Sequence, residues 1–180
     1  MNRKRATQNQ NLFTELSLQT VESIPSAGKL VPSTRYIPVY HIELVRDRSI
    51  KIEPLPAIHN SDDVVAILRD EVLNADREKL VCLMLNTKNV VIGMDVVSLG
   101  TLTMSVAHPR EIFKSAILKN AASIILGHNH PSGDPTPSRE DIQMTERISR
   151  AGEILGIKLL DHVVIGENDT YSFRNSGRLP

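Results

Sequence analysis

The sequence predicts an α/β (α+β) domain, a mixed sheet flanked by helices. Three observations predict it. Apolar runs of strand length occur near residues 78–85 and 122–127. Stretches with apolar residues at helical spacing begin near Ser61, Pro109 and Ser138. The two kinds of segment alternate along the chain with short polar connections, the pattern of helices packed on a sheet.

Taken in order, residues 1–35 mix Gln, Asn, Ser, Thr and Pro with scattered apolar side chains. They are expected to form a flexible arm in which Leu12, Phe13, Leu16 and Leu18 support at most a short amphipathic turn. Residues 36–60 read as a strand extension. Strands at 39–45 and 50–52 are joined at Arg46-Asp47-Arg48, and Pro38 with the charged turn suggests a sheet edge. Pro54 and Pro56 end it. Ser61-Asp62-Asp63 then caps a helix carrying Val64, Ile67, Leu68 and Val72 to about Asn74. Residues 78–85 are apolar almost throughout, so that strand is buried on both faces, and Asn86-Thr87-Lys88-Asn89 turns into a second strand near 90–97. Residues 101–106 suggest a third. Pro109 suits the first position of a helix with Ile112, Phe113, Ala116 and Ile117 on one side, followed by a strand at 122–127. A helix from Ser138 to Leu155 presents Ile142, Ile148, Ala151 and Leu155 as a stripe. Gly156 stops it, and strands follow at 158–165 and 170–173. There is no internal repeat.

The totals bound the function. At 180 residues and 41% apolar content the chain fits one ordinary domain with an appendage. Lys and Arg total 21, equal to Asp and Glu, so no global positive field recommends nucleic acid, and 3% aromatic content leaves few platforms for stacking bases. Cys82 is the single cysteine, which excludes an internal disulfide and a Cys-based zinc finger and suits a reducing cytoplasm. No apolar run approaches about 18 residues, and Met1-Asn2-Arg3-Lys4-Arg5 leads into polar sequence instead of a signal-peptide core. The expectation is a cytoplasmic protein without a membrane partner.

Function speaks loudest at His128-Asn129-His130, followed by a Pro- and Gly-rich loop and then Ser138-Arg139-Glu140-Asp141. On an extended strand side chains two apart share a face, so both imidazoles can grip one ion, and a turn brings Asp141 round as third ligand. Two imidazoles and a carboxylate suit zinc, and three protein ligands leave a fourth position for water. The bland explanations are surface histidines and a capping box formed by Ser138 and Asp141. Against them stands the convergence of four such residues at one strand-loop-helix junction, where open α/β sheets place their sites. Hydrolysis also needs a carboxylate to shuttle a proton; Glu78, Glu111, Glu140 and Asp134 are candidates, and spacing does not choose among them. His162, on an apolar strand, reads as a satisfied core histidine ahead of a partner orienting a ligand. His108 resembles a helix-leading residue, His41 and His59 lack clustered partners, and Cys82 reads as a small buried hydrophobe.

Gly127-His128-Asn129-His130-Pro131 with Pro137-Ser138-Arg139-Glu140-Asp141 resembles the JAMM (MPN+) metalloprotease signature, His-x-His-x7-Ser-x-x-Asp, without a gap. The surrounding segments, His108-Pro109-Arg110-Glu111, Ser132-Gly133-Asp134 and Leu160-Asp161-His162-Val163-Val164-Ile165-Gly166, are closer still to the RadC-like branch of that superfamily. The likeness spans about residues 62–175. It implies an MPN (JAB, RadC-like) domain over 61–180 with a cytidine-deaminase-like fold, and one Zn2+ held by His128, His130 and Asp141. It also implies Glu78 as general base, since Asp76-Arg77-Glu78-Lys79-Leu80-Val81 stands where RadC-like chains carry that residue, and Ser138 as oxyanion stabiliser. Longer RadC-like proteins begin with a hairpin-containing helical region, which residues 1–60 do not resemble.

The expected activity is therefore zinc-dependent cleavage of a peptide or isopeptide bond in a protein substrate. The alternative is a metal-stabilised, non-catalytic protein- or DNA-binding module associated with DNA repair. Nucleobase deamination is disfavoured because the combined His-x-Glu and Pro-Cys-x-x-Cys pattern it requires is missing from a chain with a single cysteine, and no His-Glu-x-x-His occurs. Loops near 99–106 and 133–137 are expected to set specificity, with the strand near 102–106 open to a peptide by edge pairing.

Overall fold

The computed structural model describes residues 38–41, 43–49, 57–100 and 108–179. The chain divides into two compact units, residues 1–41 and 42–180; of the first only 38–41 are described, and they lie in no helix or strand. Residues 43–49 also lie in none, so the strand expected at 39–45 is not found among the described residues. Residues 1–35, 50–52 and 101–106 lie outside them.

The elements of the second unit are α1 (Ser61–Leu73), β1 (Lys79–Leu85), β2 (Val91–Leu99), α2 (Pro109–Leu118), β3 (Ser123–Asn129), α3 (Arg139–Leu155), β4 (Lys158–Ile165) and β5 (Thr170–Ser172). The strands form one mixed sheet in the order β2-β1-β3-β4-β5. β1 runs antiparallel to both β2 and β3, and β4 to β5, while β3 and β4 are parallel. A parallel pair needs a crossover, and α3 supplies it.

Alternation along β1 assigns the faces. Leu80, Cys82 and Met84 join Ile112, Phe113, Ala116, Met144 and Ile148 in a core under α2 and α3. Val81, Leu83 and Leu85 join Val64, Ile67, Leu68 and Val72 in a second core under α1. The sheet is thus covered on both sides, and β1 and β3 are buried at nearly every position, including the polar Ser123, His128 and Asn129. Burying each large apolar side chain contributes about 1.5–3 kcal/mol. At Gly127 an added Cβ would sit 2.3 Å from Leu68 Cδ1, so α1 rests on bare backbone there.

Three local expectations need correction. The N-cap of α1 is Asn60, not Ser61: Asn60 Oδ1 accepts from Asp63 N at 3.0 Å, and Asp63 Oδ2 accepts from Asn60 N at 3.3 Å. Ile117 is half exposed, and the inward position in that turn belongs to Ser115, whose hydroxyl donates to Asp95 on β2. Leu155 likewise faces outward, and the buried line of α3 runs Asp141, Met144, Thr145, Ile148 and Gly152.

Candidate metal centre

β3 extends two residues past its expected end, so His128 and Asn129 lie inside the strand and His130 immediately follows it. Leu80 pairs with His128 in the β1–β3 register. β4 flanks the other side, with His128 opposite Val164. The crossover returns α3 to the same rim of the sheet, and the N-cap of α3 is Ser138 in a full capping box. Ser138 Oγ accepts from Asp141 N at 3.1 Å, while Asp141 Oδ2 accepts from Ser138 N at 2.7 Å and from Ser138 Oγ at 2.6 Å. Capping therefore fixes the carboxylate at the first turn, aimed at the strand end.

The result is a tight triad. His128 Nε2 and His130 Nε2 are 3.0 Å apart, and Asp141 places Oδ1 3.3 Å from the first and Oδ2 3.3 Å from the second. These three residues form a group whose donor atoms can hold a metal ion. Bonds of about 2.0–2.1 Å to a tetrahedral ion imply donor separations of roughly 3.3 Å; with one donor atom taken from each residue, the three lie within 4.8 Å of one another. His128 is fully buried and Asp141 nearly so, while His130 is partly open. His130 Nδ1 donates to the Asp134 carbonyl at 2.8 Å, so in the neutral ring Nε2 keeps its lone pair toward the triad, and in the charged ring Nε2 donates to Asp141.

Protonation is set by this packing. Burial and the neighbouring His162 push His128 well below the ordinary histidine value. Burial takes His162 down to about 4. The hydrogen bond to Asp141 raises His130, against the cost of burial, with Asp134 and Glu78 adding to the rise. Burial opposes charge on Asp141, but His130, His128 and the bonds from Ser138 outweigh it and hold the carboxyl well below the usual range.

Glu78 stands just before β1, and extending the register by two residues sets it level with His130. Its main chain is gripped on both sides. Asn129, the residue between the histidines, accepts from Lys79 N at 2.8 Å with Oδ1 and donates to the Arg77 carbonyl at 3.2 Å with Nδ2. The Glu78 carbonyl accepts from Gly100 N at 2.8 Å. The other carboxylates lie elsewhere: Glu111 pairs with Arg110 and Lys114, Glu140 is exposed, and Asp134 reaches His130 only through its carbonyl.

His162 is the residue that sequence reasoning undervalued. It is a satisfied core histidine, fully buried and stacked on Phe173, and it also meets His128 Nδ1 with Nε2 at 2.8 Å. Its place on β4, which runs beside β3, was the signal. His108 caps α2 by accepting from Arg110 N at 3.2 Å, and His41 and His59 are exposed. Burial raises Cys82 to about 12, with Asp95 adding to the effect, so it is the inert thiol expected. No described helix is long and apolar enough to cross a membrane.

The chain resembles known proteins along most of the second unit. A family model described as a RadC-like JAB domain matches residues 58–178. A UPF0758 protein of Desulforamulus reducens is 42% identical over 167 residues, covering 90% of this chain and 72% of its own length. Another, from Moorella thermoacetica, is 53% identical over 122 residues, covering 68% of this chain and 53% of itself. A third, from Caldanaerobacter subterraneus subsp. tengcongensis, is 49% identical over 121 residues, with 67% and 52% covered. The matches thus span about half the length of the last two relatives, and the names state no activity.

Proposed function

The chain belongs to the RadC-like JAB domain family, and from that premise we propose that it is a zinc-dependent hydrolase of peptide or isopeptide bonds. The observation that carries the reading is the meeting of His128 Nε2, His130 Nε2 and the Asp141 carboxylate at 3.0–3.3 Å. Two imidazoles and one carboxylate are a donor set suited to zinc. Bound there, the ion would lower the pKa of a water toward about 7 and polarise the scissile carbonyl.

The chain's own residues supply the rest. Glu78 takes a proton from the attacking water and returns it to the departing nitrogen, so the C–N bond breaks to a carboxylate and an amine. Its support is the clamp that Asn129 places on residues 77 and 79, which fixes the backbone from which the carboxylate projects. Ser138, exposed at the N-terminus of α3, turns its hydroxyl hydrogen from Asp141 toward the tetrahedral oxyanion, in the positive field of the helix end. His130 stays at the open side of the triad, where substrate arrives.

The test pairs zinc content with cleavage of a peptide library and a ubiquitin-like isopeptide probe. Glu78→Gln is expected to keep zinc and lose turnover by about 10²–10⁴-fold. Full activity in that variant would remove Glu78 from the mechanism. Wild-type protein that retains zinc yet cleaves nothing would turn the reading into a metal-stapled binding module.

A further inference from the structure

We propose that His162 and Thr145 are positioning residues that hold His128 in the one tautomer able to accept a metal ion. The inference rests on the metal reading above and adds to it a device within the domain that no comparison describes.

The chain of bonds has a direction because it starts at a group that can only accept. Thr145 Oγ1 lies 2.6 Å from the Asp141 carbonyl, and its single hydrogen is donated there. With that hydrogen committed, Thr145 can only accept from His162 Nδ1, 2.6 Å away. A neutral His162 protonated on Nδ1 then offers a lone pair at Nε2. That atom faces His128 Nδ1 at 2.8 Å, so His128 must carry its hydrogen on Nδ1 and leave Nε2 bare. The bare nitrogen is the one that meets His130 and Asp141.

The opposite polarity would put a hydrogen on His128 Nε2 in the middle of the donor triad and exclude a cation. The relay also runs from the backbone of one donor residue, Asp141 on α3, to the side chain of another, His128 on β3. The bonds that choose the tautomer therefore tie the helix to the strand. The Phe173 ring stacks on His162 at 4.9 Å with 10° between planes, which holds the imidazole in the plane that both bonds need.

Thr145→Val keeps the volume and removes the hydroxyl, so it tests the relay directly. Thr145→Ser keeps the hydroxyl, and Ile148→Val, from the same buried face of α3, is the packing control. Two readouts are taken: zinc affinity by competition with a chromophoric chelator, and imidazole ¹⁵N shifts of His128 in zinc-free protein. Thr145→Val is expected to weaken zinc binding by about 10–100-fold and to shift His128 away from the Nδ1–H signature. Thr145→Ser and Ile148→Val are expected to keep both.

Wild-type zinc affinity in Thr145→Val, or an unchanged His128 tautomer in that variant, would overturn the proposal. If Thr145→Val does not fold, the pair His162→Gln and His162→Leu decides. Gln keeps an acceptor toward His128 and should retain zinc, Leu should not, and equal affinities would overturn it. A wild-type protein that binds no zinc would sink the metal reading, whereas the zinc-free ¹⁵N measurement would still judge the relay.

Discussion

Replacing Asp141 by Asn separates two duties that one side chain performs. As the third residue of α3 it accepts from Ser138 N, and an amide oxygen can do the same, so the helix start should lose about 1 kcal/mol or less. As a donor to a cation, the neutral amide gives up the only negative charge in the triad. At a zinc concentration a hundred times its dissociation constant, wild-type protein gains about 2.7 kcal/mol of stability. The family domain covers residues 58–178, and an unfolding entropy near 2.1 cal/mol/K per residue gives roughly 0.25 kcal/mol per degree. Zinc should therefore raise the wild-type Tm by about 10 °C and that of Asp141→Asn by less than roughly 3 °C. Scanning calorimetry with and without a chelator measures both. Equal zinc shifts in the two proteins would show that the carboxylate is a cap and nothing more.

Other outcomes follow from the packing and the charges. Leu68→Ala, at a fully buried site lying over Gly127, should cost 2–5 kcal/mol in urea unfolding; a loss under about 1 kcal/mol would contradict the close approach of α1 to β3. Burial raises Glu71, but Lys79 and Arg48 outweigh it and hold the carboxyl below its ordinary 4.5. A depressed carboxyl stabilises the fold above its unfolded value and stops doing so as pH falls through the folded one. Metal-free wild type should therefore lose more of its urea midpoint between about pH 6 and pH 3 than Glu71→Gln, and parallel curves would refute the ion pairs' contribution. Cys82, raised to about 12, should resist a thiol reagent at pH 8 until the protein unfolds; rapid labelling of native protein would contradict its burial.

What the sequence disclosed depended on how far apart the cooperating residues lie. His128, His130, Ser138 and Asp141 sit within one strand-loop-helix passage, where side-chain periodicity and a capping pattern suffice to bring them together. Residues joined by strand pairing were harder. Glu78 was one of four equivalent carboxylates on spacing, and a resemblance singled it out, because only the β1–β3 register sets it level with His130. His162 looked like core because its role depends on β4 running parallel to β3. Hydropathy misled at Ile117 and Leu155, each at the last turn of its helix. There the inward place belongs to Ser115, made tolerable by Asp95 from another strand, and to Gly152, where an added Cβ would meet the Ile157 carbonyl at 2.4 Å. Asn60 lost the cap to Ser61 on paper since both types suit it, and the side chain of Asp63 decides between them.

The two imidazoles of the triad are held by different kinds of atom. His130 leans on a main-chain oxygen at Asp134, in a loop where Gly133 and Gly166 let backbone approach backbone: Glu167 N donates to Gly133 O at 3.0 Å, and any Cβ at Gly166 would fall 2.4 Å from that same oxygen. A peptide carbonyl is common to every residue type, so the side chain at 167 is free to drift in size and charge around the mouth of the site, while Asp134 keeps a second duty in the loop, its Oδ1 accepting from Thr136 N at 2.8 Å. His128 leans on the side chains of His162 and Thr145, which have no such freedom. The rim can diversify while the floor stays put.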